Sequence, residues 1–484
     1  MSGLRKPMTP GGGAGAGITL AMLAAITGAS LIGTNDGGTV ADFIYRGDPV
    51  TLPQNLAYGD GLRDLVAGPG PVSRDNHAFG LGALRSLTGV SFNANPNAGY
   101  GNSAFGSRVM QDSLNGFDNS GFGYETLRLI TDGWNNSAFG PKALYSCTEG
   151  YRNSALGTTC FYGLTTGYEN VGGGVDAGFN TTTAFGNVIF GYAAGYRMTT
   201  SSHSVVMGWK AGSGVAAGAC TSVRINAIGY RAMGSIRTAS DGNAFGANSL
   251  VSLTSGDGNN AFGNNTLSNC VVGTSNAAFG DSALLLYTGD ATCAFGTDAL
   301  SSLVAAGQNS AFGHQAARLA TGSNGTFMGY RAGYALTVGA SNTFIGRLAG
   351  SAVTIGGFNT LIGDATVQGA NNDNGTALGA GATLTGSDAT AMGRAAAAAS
   401  SGIAIGSGAS AGAKGIAIGT GADAGSATGA TSGDKSAQLA LGSAANPVAV
   451  RGDGSLFPTA GAAAGHIEIK LNGTAYRIEL KAAA

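Results

Sequence analysis

Charge is scarce in this sequence. Asp, Glu, Lys and Arg make up 11% of its 484 residues, against an ordinary share of about 25%. The formal net charge is −1, so no basic excess exists to attract nucleic acid, and none is expected as a partner. Low charge does not mean disorder, because hydrophobic residues reach 43%, enough to build a core. Proline is also sparse, at 10 residues, and glycine shows no three-residue period, which excludes collagen. The five cysteines (147, 160, 220, 270 and 293) include no closely spaced pair, and the four histidines (77, 203, 314 and 466) are scattered. Neither a disulfide framework nor a metal or cofactor site is expected. A nucleophile elbow, a P-loop and an HExxH helix are all missing, and no catalysis is expected.

Long apolar runs are lacking too. Near the N-terminus the uninterrupted stretch runs only from Ile18 to about Ala25, behind Pro7, Pro10 and three glycines. That is too short to span a bilayer and poorly shaped for a secretory signal. A buried helix or an oligomerisation segment fits better, giving a short helical region in an otherwise all-β chain.

Glycine, by contrast, is abundant, with 86 residues, and its spacing is periodic. Glycines closing a "small-Ala-Phe-Gly" unit stand at Gly106, Gly123, Gly140, Gly157, Gly174, Gly191 and Gly208, each 17 residues from the last. After a longer step to Gly229 they continue to Gly379 at intervals of 16 or 17. The interval then contracts to 14 and 13 at Gly393, Gly406 and Gly419. Such self-similarity is the mark of a solenoid, in which one repeat is one rung of a stack.

The unit reads G-x-x-A-L-x-x-L-T-x-G-x-x-N-S-A-F. Residues 246–262 display it through Gly246, Ser249, Leu250, Leu253, Thr254, Gly256, Asn259, Asn260, Ala261 and Phe262. Four residues before each early anchor stands an asparagine: Asn102, Asn119, Asn136, Asn153, Asn170 and Asn187. Identical asparagines on adjacent rungs form an amide ladder. The anchor glycine marks a backbone position that a side chain would block. Ser137-Ala138-Phe139 has the alternation of a short strand. Ala143, Leu144 and Cys147 fit either a helical turn or a tight second strand. Phe139 and Leu156 share one slot, assigned to the core, so Asp at Phe139 or Phe262 is expected to bury an unpaired charge. About twenty rungs spaced roughly 4.8 Å apart give a rod of about 100 Å. The apolar slots fall five and three residues apart, which fits a hexapeptide β-helix poorly.

The segment "SGIAIGSGASAGAKGIAIGTGADAGS" at 401–426 resembles the head repeats of trimeric autotransporter adhesins. The longer unit is similar to its relative in phage tail fibres, and the resemblance covers about residues 76–445. It implies a homotrimeric β-roll of three chains side by side. "GASLIGTNDGGTVADFI" at 28–44 resembles the segment leading into phage tailspike shafts. The ending "GHIEIKLNGTAYRIELKAAA" is similar to terminal hairpins of phage fibres, with Ile467, Ile469 and Leu471 leading to an Asn472-Gly473 turn and Tyr476, Ile478 and Leu480 returning. The expected organisation is therefore 1–75 for virion attachment, 76–390 for a shaft, 391–445 for short-period repeats and 446–484 for a hairpin cap. Neither end is expected to insert in a membrane.

The resemblance implies an external virion fibre, first a tail fibre that adheres to host surface polysaccharide and contacts other virion proteins through its N-terminal region. Other readings are a collar, neck or capsid fibre, an autotransporter adhesin, and a glycan-cleaving tailspike. Candidate contact residues are few. Phe117, Trp134, Tyr151, Tyr168 and Phe185 recur 17 apart, forming an aromatic ladder that is first a structural stack and second a strip for glycan. Trp209-Lys210, Tyr230-Arg231 and Tyr330-Arg331 place a cation beside an aromatic, of use toward anionic polysaccharide or merely for covering apolar area. The shaft acids Asp112, Asp118, Glu125, Asp132, Glu149, Glu169 and Asp176 read as solvated turn charges. "RGD" at 451–453 and "NNDNG" at 371–375 lack any supporting pattern.

Overall fold

The computed structural model describes residues 75–87, 99–214, 220–369 and 372–424 with their side chains. It also gives the backbone of the strands Ser30–Thr34, Asp42–Arg46, Leu56–Tyr58, Leu439–Leu441, His466–Leu471 and Thr474–Glu479. Two compact units divide the chain, Met1–Gly186 and Asn187–Ala484. Among the described residues there is no helix, and each unit is a parallel β-solenoid. The expected helix near Ile18 falls outside the described residues.

In the first unit, three-residue strands such as Ser103–Phe105, Ser120–Phe122, Ser137–Phe139 and Ser154–Leu156 stack in parallel. Their register is residue for residue: Ser137 opposite Ser154 and Phe139 opposite Leu156. The second unit continues in the same manner from Val188–Phe190 to Ile416–Ile418. At the first unit's start, Ser30–Thr34 and Asp42–Arg46 pair antiparallel. Near the chain's end His466–Leu471 and Thr474–Glu479 make the expected hairpin, with Ile467 opposite Ile478 and Ile469 opposite Tyr476. Residues 88–98 and 215–219 lie outside the described residues.

The strand faces are the reverse of the expected assignment. Ala138, the middle residue, is fully buried, whereas Phe139 is 42% and Leu156 61% exposed. The core is a narrow slot between the strand and the segment after the anchor, and it admits Ala from one wall and Leu144 and Cys147 from the other. The larger ring has no room inside, so it turns outward and stacks on its neighbours. Phe105, Phe122 and Phe139 lie 4.7 Å apart with planes within 5°. The claim that Asp at Phe139 would be a buried charge is therefore corrected.

Where the middle residue is large, the opposite wall gives way. Phe327 and Phe344 point inward, and the slot that Leu144 and Leu250 hold elsewhere is then Gly333 and Gly350. A Cβ on Gly333 would sit 2.6 Å from the Phe327 ring, and one on Gly350 2.7 Å from the Phe344 ring. At these two rungs the loss on one wall offsets the gain on the other. Ala244→Phe alone is expected to overpack the slot by about 2 kcal/mol, and adding Leu250→Gly should recover most of that loss in a melting experiment.

The segment between anchor and next strand is neither helix nor strand in the long rungs before Gly363. Ala143 and Cys147 donate their amides three residues back, to Gly140 and Leu144, while Lys142 and Leu144 adopt left-handed backbone at φ 57° and 50°. Left-handed non-glycine residues cost about 1 kcal/mol or more each. They are held by bonds along the stack: Lys142 N–H to the Tyr124 carbonyl at 2.8 Å and Leu144 N–H to the Cys160 carbonyl at 2.9 Å. Where the period contracts, this turn chain shortens to a two-residue strand. Thr383–Leu384, Ala397–Ala398, Ser410–Ala411 and Asp423–Ala424 then form a second parallel ladder with Val367–Gln368.

Candidate functional site

The asparagines form the ladder their spacing predicts. Asn102, Asn119, Asn136, Asn153 and Asn170 are fully buried in the first unit. The Nδ2 of Asn136 donates to Asn119 Oδ1 at 3.0 Å and to the Gly150 carbonyl at 2.8 Å. Its Oδ1 accepts from both the backbone N–H and the Nδ2 of Asn153 at 3.0 Å. All four hydrogen-bonding positions of the amide are filled. In the second unit Asn187 bonds the Ser201 carbonyl and the Ser204 amide. These residues are a structural spine. The anchor glycines flank it at φ between 122° and 144°, from Gly106 through Gly123, Gly140, Gly157, Gly174 and Gly191 to Gly208.

Phe117, Trp134, Tyr151, Tyr168 and Phe185 do come together. Successive ring centroids are 5.7, 4.7, 4.8 and 4.9 Å apart, with planes within 11° of parallel. Tyr100, six residues before Gly106, occupies the corresponding slot one rung earlier. Arg152 lies 4.8 Å from the Trp134 centroid and bonds Glu169 at 3.0 Å. Because the rings face one another, a ligand approaching from solvent meets their edges. Edges carry the positive part of the ring quadrupole, so they suit oxygen acceptors better than the apolar face of a neutral sugar.

The column just before each anchor, assigned to the core from the sequence, faces outward. In the second unit it runs through Met207, Phe245, Phe262, Phe279, Phe295, Phe312, Met328, Ile362, Met392, Ile405 and Ile418, with related residues on the rungs between. Phe312 is 39% exposed, Met328 45% and Ile418 41%. No outward position of these strands, from Val188–Phe190 to Ile416–Ile418, carries a charge. Monomeric proteins rarely expose an apolar stripe of this extent.

Most shaft acids serve the rungs. Asp132 accepts from Asn115 Nδ2 at 2.8 Å, and Asp176 accepts from Thr159 Oγ1 at 2.5 Å. Glu125 differs from the surface charge expected, with a side chain only 6% exposed among Arg108 and Arg128 at 3.1 Å and Lys142 at 3.7 Å. Burial pushes its carboxyl up, but the bonds from Arg108 and Tyr124 and the charges of Arg128 and Lys142 outweigh that and hold it below the ordinary value. Asp373 accepts the Gly357 amide at 2.6 Å, a turn role. The described residues contain no group of acids, histidines and cysteines placed to hold a metal.

Cys147, Cys160, Cys220 and Cys270 are buried, and Cys293, on an outward strand position, is half-buried. Burial pushes the Cys147 and Cys160 thiols up to about 12. The thiolate is the reactive form, so both should resist thiol-disulfide reagents at pH 8 until the protein is denatured. Above pH 9.0, where an unfolded thiol ionises and these do not, they favour unfolding increasingly up to about 12.

Of the aromatic-basic pairs, Lys210 Nζ stands 4.5 Å from the Trp209 centroid, and Arg331 lies 5.3 Å from that of Tyr330 and 5.0 Å from that of Tyr334. No helix among the described residues is long and apolar enough to cross a membrane. No protein-family model, characterised protein or solved structure matches the chain.

Proposed function

We propose that this chain is a structural fibre of a bacteriophage virion, a homotrimer whose shaft bears on host-surface polysaccharide. The observation that supports the reading best is the uncharged apolar column on the outward face of the sheet. A partner covering that column must repeat its own apolar contacts at the same rung spacing, about 4.8 Å. A second and third copy of the chain meet that requirement directly, and closed symmetry then buries the stripe. The β-roll resemblance of 401–426 favours the same assembly. The role proposed is adhesive.

Gold-labelled antibody against the shaft tests the position on the particle by electron microscopy. Label at the tail is expected. Label at a collar or capsid would make the chain a fibre without receptor contact, and label on a bacterial outer membrane would make it an adhesin.

A further inference from the structure

Two long stretches of the sequence carry cations and no acid, 177–240 and 299–363, and the first is the richer in cations. Between Asp176 and Asp241 the sequence contains no Asp or Glu, yet it holds Arg197, Lys210, Arg224, Arg231 and Arg237. Arg224 is neutralised by a carboxylate, with its Nη2 2.9 Å from Asp241 Oδ2. Lys210 and Arg231 are exposed and make no ion pair among the described residues.

These two cations stand on consecutive rungs, one place after an exposed aromatic. The rings of Tyr192, Trp209 and Tyr230 are 47%, 39% and 48% exposed. They stack at 6.1 and 5.0 Å, with planes 18° and 6° from parallel. The backbone sets the register: Lys210 N–H donates to the Tyr192 carbonyl and Arg231 N–H to the Trp209 carbonyl, each at 2.9 Å. Further along, Arg331 reaches both Tyr330 and Tyr334, so the first, second and fifth places after an anchor share a face. Tyr196, the fifth residue after Gly191, therefore belongs to the same surface. The same first and second places carry acids on other rungs, at Asp281, Asp298 and Asp364, but none here.

We infer that the face bearing Tyr192, Tyr196, Trp209, Lys210, Tyr230 and Arg231 binds an anionic polysaccharide. This rests on the adhesive reading above and names its ligand class and its place. The groups on offer are almost all donors: an ammonium, a guanidinium, phenolic hydroxyls and the indole N–H. The stack turns its positive ring edges outward, which complements carboxylate and hydroxyl oxygens along an extended sugar chain. A single-stranded nucleic acid is disfavoured, because its bases need open ring faces and here each ring covers the next. Binding through unpaired exposed cations also has to weaken with salt.

The test is binding of the full chain, at two salt concentrations, to polygalacturonate, dextran sulfate, neutral dextran, poly(dT) and isolated host envelope polysaccharide. The wild type is expected to bind the two polyanionic glycans and the host material, less tightly at high salt, and to ignore dextran. Lys210→Gln with Arg231→Gln should weaken that binding at least 10-fold, with circular dichroism unchanged, whereas Lys414→Gln, at the exposed eighth place after Gly406, should not. Equal binding by the double variant would overturn the assignment to this face and leave the adhesive reading standing. Comparable binding to dextran, or preference for poly(dT), would overturn the ligand class. Binding to the host polysaccharide alone would overturn the anionic assignment only, and binding to no polysaccharide would overturn the adhesive reading as well.

Discussion

Asn136→Leu should destabilise its rung by about 4 kcal/mol, an effect out of proportion to a change between similar volumes. The reason lies in what the amide leaves behind. Without it, the buried Asn153 N–H loses its acceptor at 3.0 Å. The Gly150 carbonyl loses a donor at 2.8 Å and keeps only the Cys147 Sγ contact at 3.8 Å. The Asn153 Nδ2 also loses an acceptor at 3.0 Å; each orphaned buried group costs about 1–3 kcal/mol, and leucine's extra apolarity does not offset them. Hydrogen exchange at Asn153 reads the result directly: its amide should pass from slow to fast while rungs far along the stack stay protected, since stability in a stack is a sum of neighbour terms. Asn264→Ala is the control. Its exposed Oδ1 accepts from the Ala247 N–H at 3.0 Å, water replaces the bond, and the loss should stay within about 0.5 kcal/mol.

The second large effect is Gly140→Ala. The anchor has φ 125°, outside the region open to alanine. A Cβ there would lie 2.7 Å from both the carbonyl carbon and oxygen of Gly157 on the next rung. Backbone cannot swing aside as a side chain does, so the two rungs must part. Strain and separation together are expected to cost about 3 kcal/mol or more, visible as new proteolysis near the rung at 140–157. Gly408→Ala separates the two causes, because at φ 66° a Cβ meets nothing within 4 Å. Only conformational strain remains there, about 1 kcal/mol.

Both positions were legible in the sequence for one reason. Asn136 and Gly140 face the same demand on every rung, so the chain repeats them at fixed spacing, and periodicity exposes them. The direction of Phe139 was not legible. In a three-residue strand Ala138 and Phe139 are both apolar, and alternation says only that they point oppositely. Which one enters depends on the width of the slot, set by Leu144 on the opposite wall. The exchange of Ala with Leu for Phe with Gly, at 327 with 333 and 344 with 350, carried that information as a volume balance between distant slots. The left-handed backbone at Lys142 and Leu144 left no trace, because neither residue type favours it and the bonds holding it come from adjoining rungs. Glu125 was misread as solvated for a related reason: its cations at 108 and 142 are remote in sequence and adjacent only after stacking. The aromatic ladder was visible as five rings at a fixed interval, but that their faces are taken up by one another is a matter of coordinates.

The outward apolar column is proposed to join copies of the chain and not to support the single-chain core. Phe262→Asp tests it, read by light scattering and hydrogen exchange on the same sample. The wild type is expected at the mass of three chains. The variant should fall to single chains while the amides of Asn260–Phe262, paired with their neighbouring rungs, stay protected. A wild type found as a single chain, or a variant that keeps its three-chain mass, would contradict the account.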